Sequence, residues 1–199
     1  MSLDHTLTET VTFTLDGQEV TAYDGETLWE VARRVGTHIP HLCHKDVPDL
    51  RSDGNCRACV VEVEGERVLT ASCRRKPSAG MVVNTGNDRV TKNRQMVFEL
   101  LASDMPARAD SPDPDSHFWQ QFDLVDLCAT PRYPSGRPGA GAQIPVDSIF
   151  HDASHPSIAV NFDTCISCEL CVRACREVQV NDVLGMMSRG MGTVPTFDV

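Results

Sequence analysis

The chain has 199 residues, of which 41% are hydrophobic, and a formal net charge of −10, so it has room for one or two domains with modest cores. The acidic balance argues against a nucleic-acid partner, because neutralising phosphates requires clustered Lys and Arg. No apolar run approaches the length of a membrane span, and the initial MSLDHTLTET lacks a basic segment followed by an apolar one, so we expect neither membrane insertion nor secretion. Nine cysteines in such a chain indicate a reducing, cytoplasmic location, where thiols bind metal instead of forming disulfides.

The chain is predicted to begin with a β-hairpin followed by a helix. Residues 11–15 alternate apolar and polar side chains, an Asp-Gly pair supplies the turn, and residues 18–22 return. Asp24 is the predicted N-cap of the helix, and Gly36 is its predicted end. The apolar face of this helix is expected to comprise Leu28, Val31, Ala32 and Val35.

A second hairpin and a second helix are predicted to complete this unit. The hairpin pairs residues 60–63 with residues 67–70, and residues 81–83 form one more short strand. Two hairpins around a helix are the β-grasp pattern, so residues 1–104 are assigned to an α+β fold of that kind. The closing helix, residues 88–102, is expected to bury Val90, Met96, Val97, Leu100 and Leu101.

Residues 105–157 are predicted to be an irregular linker rich in Pro and Gly. Their first part is acidic and proline-bearing, which disfavours a long helix or strand. Residues 117–127 form a short aromatic, amphipathic patch, and residues 131–141 read as coil. The aromatic side chains of the patch are expected to be packing anchors: Phe118, Trp119 and Phe122.

The first cysteine run has the spacing C-x12-C-x2-C-x13-C, which points to a [2Fe–2S] cluster. A loop around its central pair contains Gly54, whose backbone freedom lets N–H groups point at the cluster. A zinc site is the structural alternative, although zinc knuckles usually carry two C-x2-C pairs and this run has one. The four residues are Cys43, Cys56, Cys59 and Cys73.

Residues 158–199 carry the second cysteine run, C-x2-C-x2-C-x3-C, which points to a [4Fe–4S] cluster. Strands are predicted at 158–162 and from 194 onward, with a helix over 169–180. The segment is therefore predicted to be the first half of a [4Fe–4S] ferredoxin-like domain. In two-cluster ferredoxins the first three cysteines hold one cube and the fourth serves another. The four residues here are Cys165, Cys168, Cys171 and Cys175.

Other potential ligands lie beside or between the two runs. A Rieske-type cluster requires two Cys–His pairs, and no histidine closely follows the later cysteines of the first run. His38, His41 and His44 are therefore expected to have surface or packing roles. Cys128, the ninth cysteine, is either a buried small hydrophobe or a substitute fourth ligand.

The order of these motifs resembles the N-terminal iron–sulfur region of the catalytic α subunit of soluble NAD-dependent formate dehydrogenases that contain molybdenum or tungsten. That region is itself similar to the iron–sulfur subunit of respiratory complex I. The match is carried by IPHLCHKDVPDLRSDGNCRACVVEVEGERVLTASCRRKP at 39–77, SPDPDSHFW at 111–119 and VNFDTCISCELCVRACREVQVNDVLGM at 160–186. The complex I subunit has a His-x3-Cys-x2-Cys-x5-Cys cluster between these regions. Here only His117 and Cys128 are available, so we expect that cluster to be absent.

The resemblance implies a [2Fe–2S] cluster on the first run and a [4Fe–4S] cluster on the first three cysteines of the second. It also implies that Cys175 reaches to a second [4Fe–4S] cluster. The chain would relay electrons between a metal–pterin site and a flavin/NAD-binding partner, as a part of an oxidoreductase that is not catalytic by itself. Its partners would be the remainder of the catalytic subunit, with its metal–pterin domain, and the flavin/NAD-binding subunit.

Two alternatives to this interpretation remain. The family's chain continues into a second four-cysteine run and a pterin-binding domain, so these 199 residues are expected to be part of a longer subunit. One alternative is a naturally short electron-transfer subunit of another complex-I-like dehydrogenase or hydrogenase. The other, from a different functional class, is a zinc-stapled interaction module without redox chemistry.

Overall fold

The computed structural model describes residues 10–47, 49–125, 127, 151–189 and 193–197, and within them the chain divides into two compact units. The first unit comprises the residues up to His41 together with Ser52–Arg94, and the second comprises Leu42–Arg51 together with the residues from Gln95 onward. No helix in the described part of the chain is long and apolar enough to cross a membrane.

The first unit is built on a five-stranded mixed sheet with the strand order β2-β1-β5-β3-β4. β1 pairs antiparallel with β2 and parallel with β5, and β3 pairs antiparallel with both β5 and β4. A helix, α1, packs with the sheet around one buried cluster that includes Phe13, Leu28, Val31 and Val83. The bounds are β1 Thr10–Leu15, β2 Gln18–Tyr23, α1 Leu28–Arg34, β3 Val60–Val63, β4 Thr70–Ala71 and β5 Val82–Asn84.

The predicted first hairpin is confirmed. Its turn residues Asp16 and Gly17 have φ values of +49° and +81°, and a two-residue turn of this kind requires positive φ at both positions. The Asp16 carboxylate also accepts hydrogen bonds from the backbone N–H and the hydroxyl of Thr85, at 2.7 and 2.6 Å. The turn is therefore fixed both by its own conformation and by the end of β5.

The N-cap of α1 differs from the prediction. Thr27, not Asp24, caps the helix: its hydroxyl accepts from the N–H of Glu30, whose carboxylate accepts in return from the N–H of Thr27. This reciprocal capping box satisfies two N–H groups that a helix start otherwise leaves unpaired. Thr27 holds the position because it directly precedes the first helical residue, whereas Asp24 lies three residues earlier in a turn.

The buried face of α1 also differs at two positions. Gly36 follows the helix with a φ of +87°, as predicted for its end. Val35 is the C-cap and is 43% exposed, because the helix stops before it can complete the apolar face. Trp29 is buried instead, and its indole N–H donates to the carbonyl of Ile39 at 3.2 Å.

The return strand of the second hairpin is shorter than predicted. Only Thr70 and Ala71 pair with β3, and residues 67–69 are not in a strand. The Arg89 side chain donates to the carbonyl of Arg67 and also forms an ion pair with Glu62. These side-chain contacts occupy a backbone group that the prediction had assigned to the strand ladder.

A long helix, α2 Asp88–Ser103, confirms the predicted span but only part of the predicted buried face, of which Val90 is fully buried. Met96 and Leu100 are 50% and 62% exposed. The buried stripe instead recurs every four residues, which is one face of an α-helix. It consists of Val90, Arg94, Phe98 and Ala102.

The second unit contains an aromatic cluster formed with the short helix α3 His117–Phe122. The ring of Phe98 lies 5.8 Å from that of Phe118, and Trp119 lies 5.0 Å from Phe118 and 5.3 Å from Phe122. All four side chains are buried, which confirms the packing role predicted for the aromatic patch. Cys128 and the predicted coil over 131–141 lie outside the described residues.

Within residues 151–189 and 193–197, the second unit contains two small hairpins and a short helix. The predicted strand over 158–162 ends one residue early, because Phe162–Thr164 form a 3-10 turn. The predicted helix over 169–180 is Leu170–Arg173, continued by a π-helical turn over Ala174–Val178. The bounds are β6 His151–His155, β7 Ile158–Asn161, α4 Leu170–Arg173, β8 Leu184–Met187 and β9 Val194–Phe197.

Two substitutions on α2 test the observed buried face against the predicted one. Phe98→Ala removes a fully buried ring, so we expect it to lower the free energy of unfolding by about 3–5 kcal/mol. Leu100→Ala changes a side chain that is 62% exposed and should have an effect of at most about 0.5 kcal/mol. Urea unfolding followed by tryptophan fluorescence measures both, and a larger loss for Leu100→Ala would restore the predicted face.

Candidate metal centres

Two cysteines of the first run, Cys59 and Cys73, lie together in the first unit. Cys59 immediately precedes β3, and Cys73 follows β4 by one residue. The pairing of Val60 with Ala71 brings these flanks side by side, and the two Sγ atoms lie 3.3 Å apart. Both side chains are at most 2% exposed. A rigid hairpin thus presents two sulfurs to one buried point.

Ser72 fixes the backbone between these two sulfurs. It donates to the carbonyl of Cys59 both from its N–H, at 3.1 Å, and from its hydroxyl, at 2.7 Å. Its own carbonyl accepts from the N–H of Trp29 in the first turn of α1, at 3.1 Å. The site is therefore attached to the helix as well as to the sheet.

Cys56, the third cysteine of this run, lies on the loop that leads into β3. Its Sγ is half-buried and accepts from the N–H of Ala58 at 3.5 Å. Gly54 has a φ of +68°, and a Cβ there would meet Arg74 Cγ at 3.0 Å and Ala71 Cβ at 3.2 Å. The loop therefore lies so close to the chain after β4 that only glycine fits.

The surroundings of Cys59 favour the neutral thiol over the thiolate. Its hydrogen bond with Cys73, followed by burial, raises the pKa of the Cys59 thiol well above its usual value. The guanidinium of Arg94 is buried within the electrostatic influence of Cys59 and donates to the carbonyl of Val60 at 2.7 Å. Burial lowers the pKa of Arg94 to about 10. Iron binding requires thiolates, so positive charge from the metal and from Arg94 is what makes this donor pair chemically reasonable.

Cys43, the first cysteine of the run, belongs to the second unit. It is fully buried, and its carbonyl accepts from the guanidinium of Arg173 at 2.6 Å. Of the neighbouring histidines, His38 is exposed and His41 packs edge-on against Trp29, with ring centroids 4.7 Å apart. Those two positions fit the surface and packing roles expected for them.

In the second cysteine run, Cys165 and Cys168 lie on the loop between the 3-10 turn and α4, Cys171 lies in α4, and Cys175 lies in the π-helical turn that follows. Ser167 and Glu169 have φ values of +52° and +61°, so the backbone alternates its hand between the cysteines. Such alternation turns successive N–H groups toward one concave side. The N–H of Ser167 lies 3.5 Å from the Sγ of Cys165, and Ser167 is anchored through its hydroxyl to the carbonyl of Thr193. The loop therefore presents both sulfurs and N–H donors inward.

The thiols of this run lie within electrostatic range of one another. Burial raises the pKa of Cys168, and Cys171, Cys165 and Cys43 raise it further, while an N–H from the following turn lowers it. Burial likewise raises the pKa of Cys171, with smaller contributions from Cys165 and Cys175. The donor set therefore fits a multi-iron cluster, in which each of these sulfurs would be a thiolate.

Cys175 has a different environment from the three cysteines before it. It is buried and packs with Val172 and Leu184, whereas Cys171 is exposed. Across the described residues, no group of three His, Cys, Asp or Glu side chains is arranged to hold a single metal ion. A [2Fe–2S] cluster instead takes two protein sulfurs on each of two irons, and the Cys59–Cys73 pair has that form.

Arg94 and Arg173 are the site residues that the sequence interpretation missed. Both are buried, at 7% and 4% exposure. The burial of Arg94 could have been predicted from the sequence, because Arg94 lies four residues after Val90 and four before Phe98 on one helix face. Arg173 lies between two cysteines of the second run, but nothing local indicates that its partners are more than 120 residues away.

Comparison with known proteins identifies the first part of the chain. Residues 8–88 match the family model described as a 2Fe-2S iron-sulfur cluster binding domain. This part of the chain is thus similar to 2Fe–2S cluster binding domains. The α+β architecture and the [2Fe–2S] assignment predicted for this region are thereby confirmed. The [4Fe–4S] assignment and the individual ligands stay predictions.

Curated relatives extend the similarity beyond the 2Fe–2S domain. One NADH-quinone oxidoreductase subunit of Rhizobium meliloti (strain 1021) is 32% identical over 187 residues, covering 92% of this chain and 20% of that protein. The NADP-reducing hydrogenase subunit HndD of Solidesulfovibrio fructosivorans is 31% identical over 200 residues, covering 95% of this chain and 32% of that protein. The chain thus spans between a fifth and a third of the length of these relatives.

A solved structure is similar along almost the whole chain. A chain of the NAD+-reducing [NiFe]-hydrogenase, crystallised in its H2-reduced state, superposes with a TM-score of 0.74 at 28% identity. The similarity covers 94% of this chain and 74% of that one. The fold described above, including the part after the 2Fe–2S domain, is therefore shared with a component of a redox enzyme.

Alanine substitutions at two glycines with positive φ test whether the Cys56 loop must pack closely against Ala71 and Arg74. Gly54→Ala places a methyl group 3.0 Å from Arg74, so we expect it to destabilise the folded chain by about 1–3 kcal/mol and to speed cluster loss to a chelator. Gly65→Ala is the matched control, because Gly65 has a φ of +82° but a methyl group there would meet nothing within 4 Å. Equal effects on unfolding and on visible bleaching would show that the close approach is unimportant.

Proposed function

We propose that this chain is an iron–sulfur electron-transfer module of a complex-I-like, NAD(H)-dependent oxidoreductase. The observation that carries the proposal is the pair of buried thiols, Cys59 and Cys73, 3.3 Å apart inside a 2Fe–2S cluster binding domain. Cys56 and Cys43 complete this ligand set in the proposal. The second run would hold a [4Fe–4S] cluster through Cys165, Cys168 and Cys171, and Cys175 would reach to a second [4Fe–4S] cluster.

The residues of the chain would hold and insulate these clusters. When bound, iron–sulfur clusters accept and release electrons one at a time. The β3–β4 hairpin excludes water from Cys59 and Cys73 and fixes their separation, so little rearrangement of the ligands accompanies electron transfer. Arg94 supplies a buried positive charge beside Cys59, and loop N–H groups donate toward Cys56 and Cys165. Such contacts to sulfur are known to tune the potential of a cluster.

The parent enzyme we favour is a soluble NAD-dependent formate dehydrogenase located in the cytoplasm. Support comes from the resemblance of the segments 39–77, 111–119 and 160–186 to its catalytic subunit. The domain limits in this proposal are 1–104 for the β-grasp [2Fe–2S] domain, 105–157 for the linker and 158–199 for the [4Fe–4S] segment. Electrons would pass between a metal–pterin site in the same subunit and a flavin/NAD-binding partner.

A hydrogenase is the second candidate, and two specific observations favour it. The superposable structure belongs to a NAD+-reducing [NiFe]-hydrogenase, and one of the curated relatives is a subunit of an NADP-reducing hydrogenase. In that case the electrons would originate at a hydrogen-activating centre, and the electron-transfer role of this chain would be unchanged.

Anaerobic reconstitution tests the electron-transfer role against the zinc-stapled alternative. We expect brown protein that bleaches with dithionite and shows separate [2Fe–2S] and [4Fe–4S] signals by electron paramagnetic resonance. Cys59→Ser should abolish the first signal and Cys171→Ser the second, each leaving the other in place. Stoichiometric zinc without iron in anaerobically purified chain would exclude the proposal.

Metal analysis of the native assembly separates the two parent enzymes. The tagged chain, purified with its natural partners, should carry molybdenum or tungsten if it serves a formate dehydrogenase, and formate should then reduce NAD+ in the same preparation. Nickel, together with hydrogen-dependent reduction, would instead identify a hydrogenase. Apo-chain expressed alone is the control for adventitious metal.

A further inference from the structure

Arg173 holds both ends of the short segment that contains Cys43. Its two terminal nitrogens donate to two backbone carbonyls, those of Cys43, at 2.6 Å, and of Arg51. The planar, five-donor guanidinium suits this task, because it can engage two acceptors without rotating. The side chain is only 4% exposed, so water does not compete for these bonds.

A second side chain, one helical turn further along the chain, also binds the Cys43 segment. The carboxylate of Glu177 accepts from the N–H of Arg51 at 3.3 Å. Arg173 is the last residue of α4, and Glu177, four residues later, lies in the π-helical turn over Ala174–Val178. Together they bind the segment Leu42–Arg51 to α4 and the π-helical turn, which carry Cys171 and Cys175.

The guanidinium of Arg173 contacts Cys43 of the first run through its carbonyl, and Arg173 itself belongs to α4, which carries Cys171 of the second run. Arg173 itself lies two residues from Cys171 and two from Cys175. A fixed cation in this position favours every anionic group around it.

We propose that Arg173 is a positioning residue that clamps the Cys43 segment to the helix of the second cysteine run and raises the reduction potential of the cluster that Cys43 holds. This inference rests on the proposed function, because it requires iron at the first run. Reduction adds one electron to a cluster that is already anionic and breaks no bond. A buried cation therefore stabilises the reduced form more than the oxidised form.

Arg173→Gln tests both parts of the proposal in the full reconstituted chain. Hydrogen–deuterium exchange of residues 42–51 should accelerate by at least about tenfold, because the clamp is lost. In a dithionite titration monitored by electron paramagnetic resonance, the midpoint of the [2Fe–2S] signal should move to lower potential. Arg173→Lys should restore part of the wild-type midpoint potential, because the ammonium retains the positive charge. It should not restore the slow exchange, because an ammonium lacks the planar pair of N–H donors that binds both carbonyls.

Arg176→Gln is the matched control. It removes the same charge from the adjacent helical turn, but the Arg176 side chain is 57% exposed and is paired with Asp182. It should leave both the exchange of residues 42–51 and the midpoint at their wild-type values. If Arg173→Gln behaves like Arg176→Gln while the wild type retains its clusters, the inference is overturned.

Two further measurements keep the inference separate from the proposed function and from simple misfolding. A reconstituted wild-type chain that contains no iron would contradict the proposed function. The iron content of the wild type is therefore measured before any variant is compared with it. If Arg173→Gln does not fold, Glu177→Ala is the second variant. It removes only the hydrogen bond to the N–H of Arg51. Exchange should therefore accelerate more at residues 49–51 than at Cys43. Unchanged exchange throughout the segment in Glu177→Ala and Arg173→Lys would overturn the clamp.

Discussion

Sulfur binds iron as a thiolate, and a thiolate in a buried site is costly unless positive charge and N–H donors surround it. Each of the two units has a buried arginine in the neighbourhood of a cysteine. In the first unit, Arg94 lies in the field of Cys59, whose sulfur is 3.3 Å from that of Cys73. In the second, Arg173 donates to the carbonyl of Cys43. The helices that carry these two arginines therefore serve the cysteines as well as the hydrophobic core.

The two runs reach a similar result with different backbone devices. Cys59 and Cys73 flank paired strands, so the sheet itself sets the distance between their sulfurs. In the second run, left-handed residues such as Ser167 alternate with the cysteines and turn the loop inward. A hairpin gives rigid geometry to two ligands, whereas a loop of alternating hand can gather three sulfurs from seven consecutive residues.

Local patterns in the sequence were sufficient for features that depend on local physics. The Asp-Gly turn of the first hairpin and the span of α2 were both predictable, because each is determined by residues a few positions apart. The buried face of α2 was not, since Arg94 occupies a position where an apolar residue is expected. The partners of Arg173 were also invisible, because hydrogen bonds between residues 43 and 173 leave no periodic signal.

The placement of Leu42–Arg51 in the second unit has a practical consequence for dividing this protein. A chain cut after α2 would retain Cys43, Cys56, Cys59 and Cys73, and by motif alone would pass for a self-sufficient ferredoxin. It would nevertheless lack Arg173 and Glu177, which hold the segment around Cys43. A domain boundary drawn from sequence can thus keep all four proposed ligands while removing the contacts that hold one of them, so transferring the proposed site to another protein requires both stretches of chain.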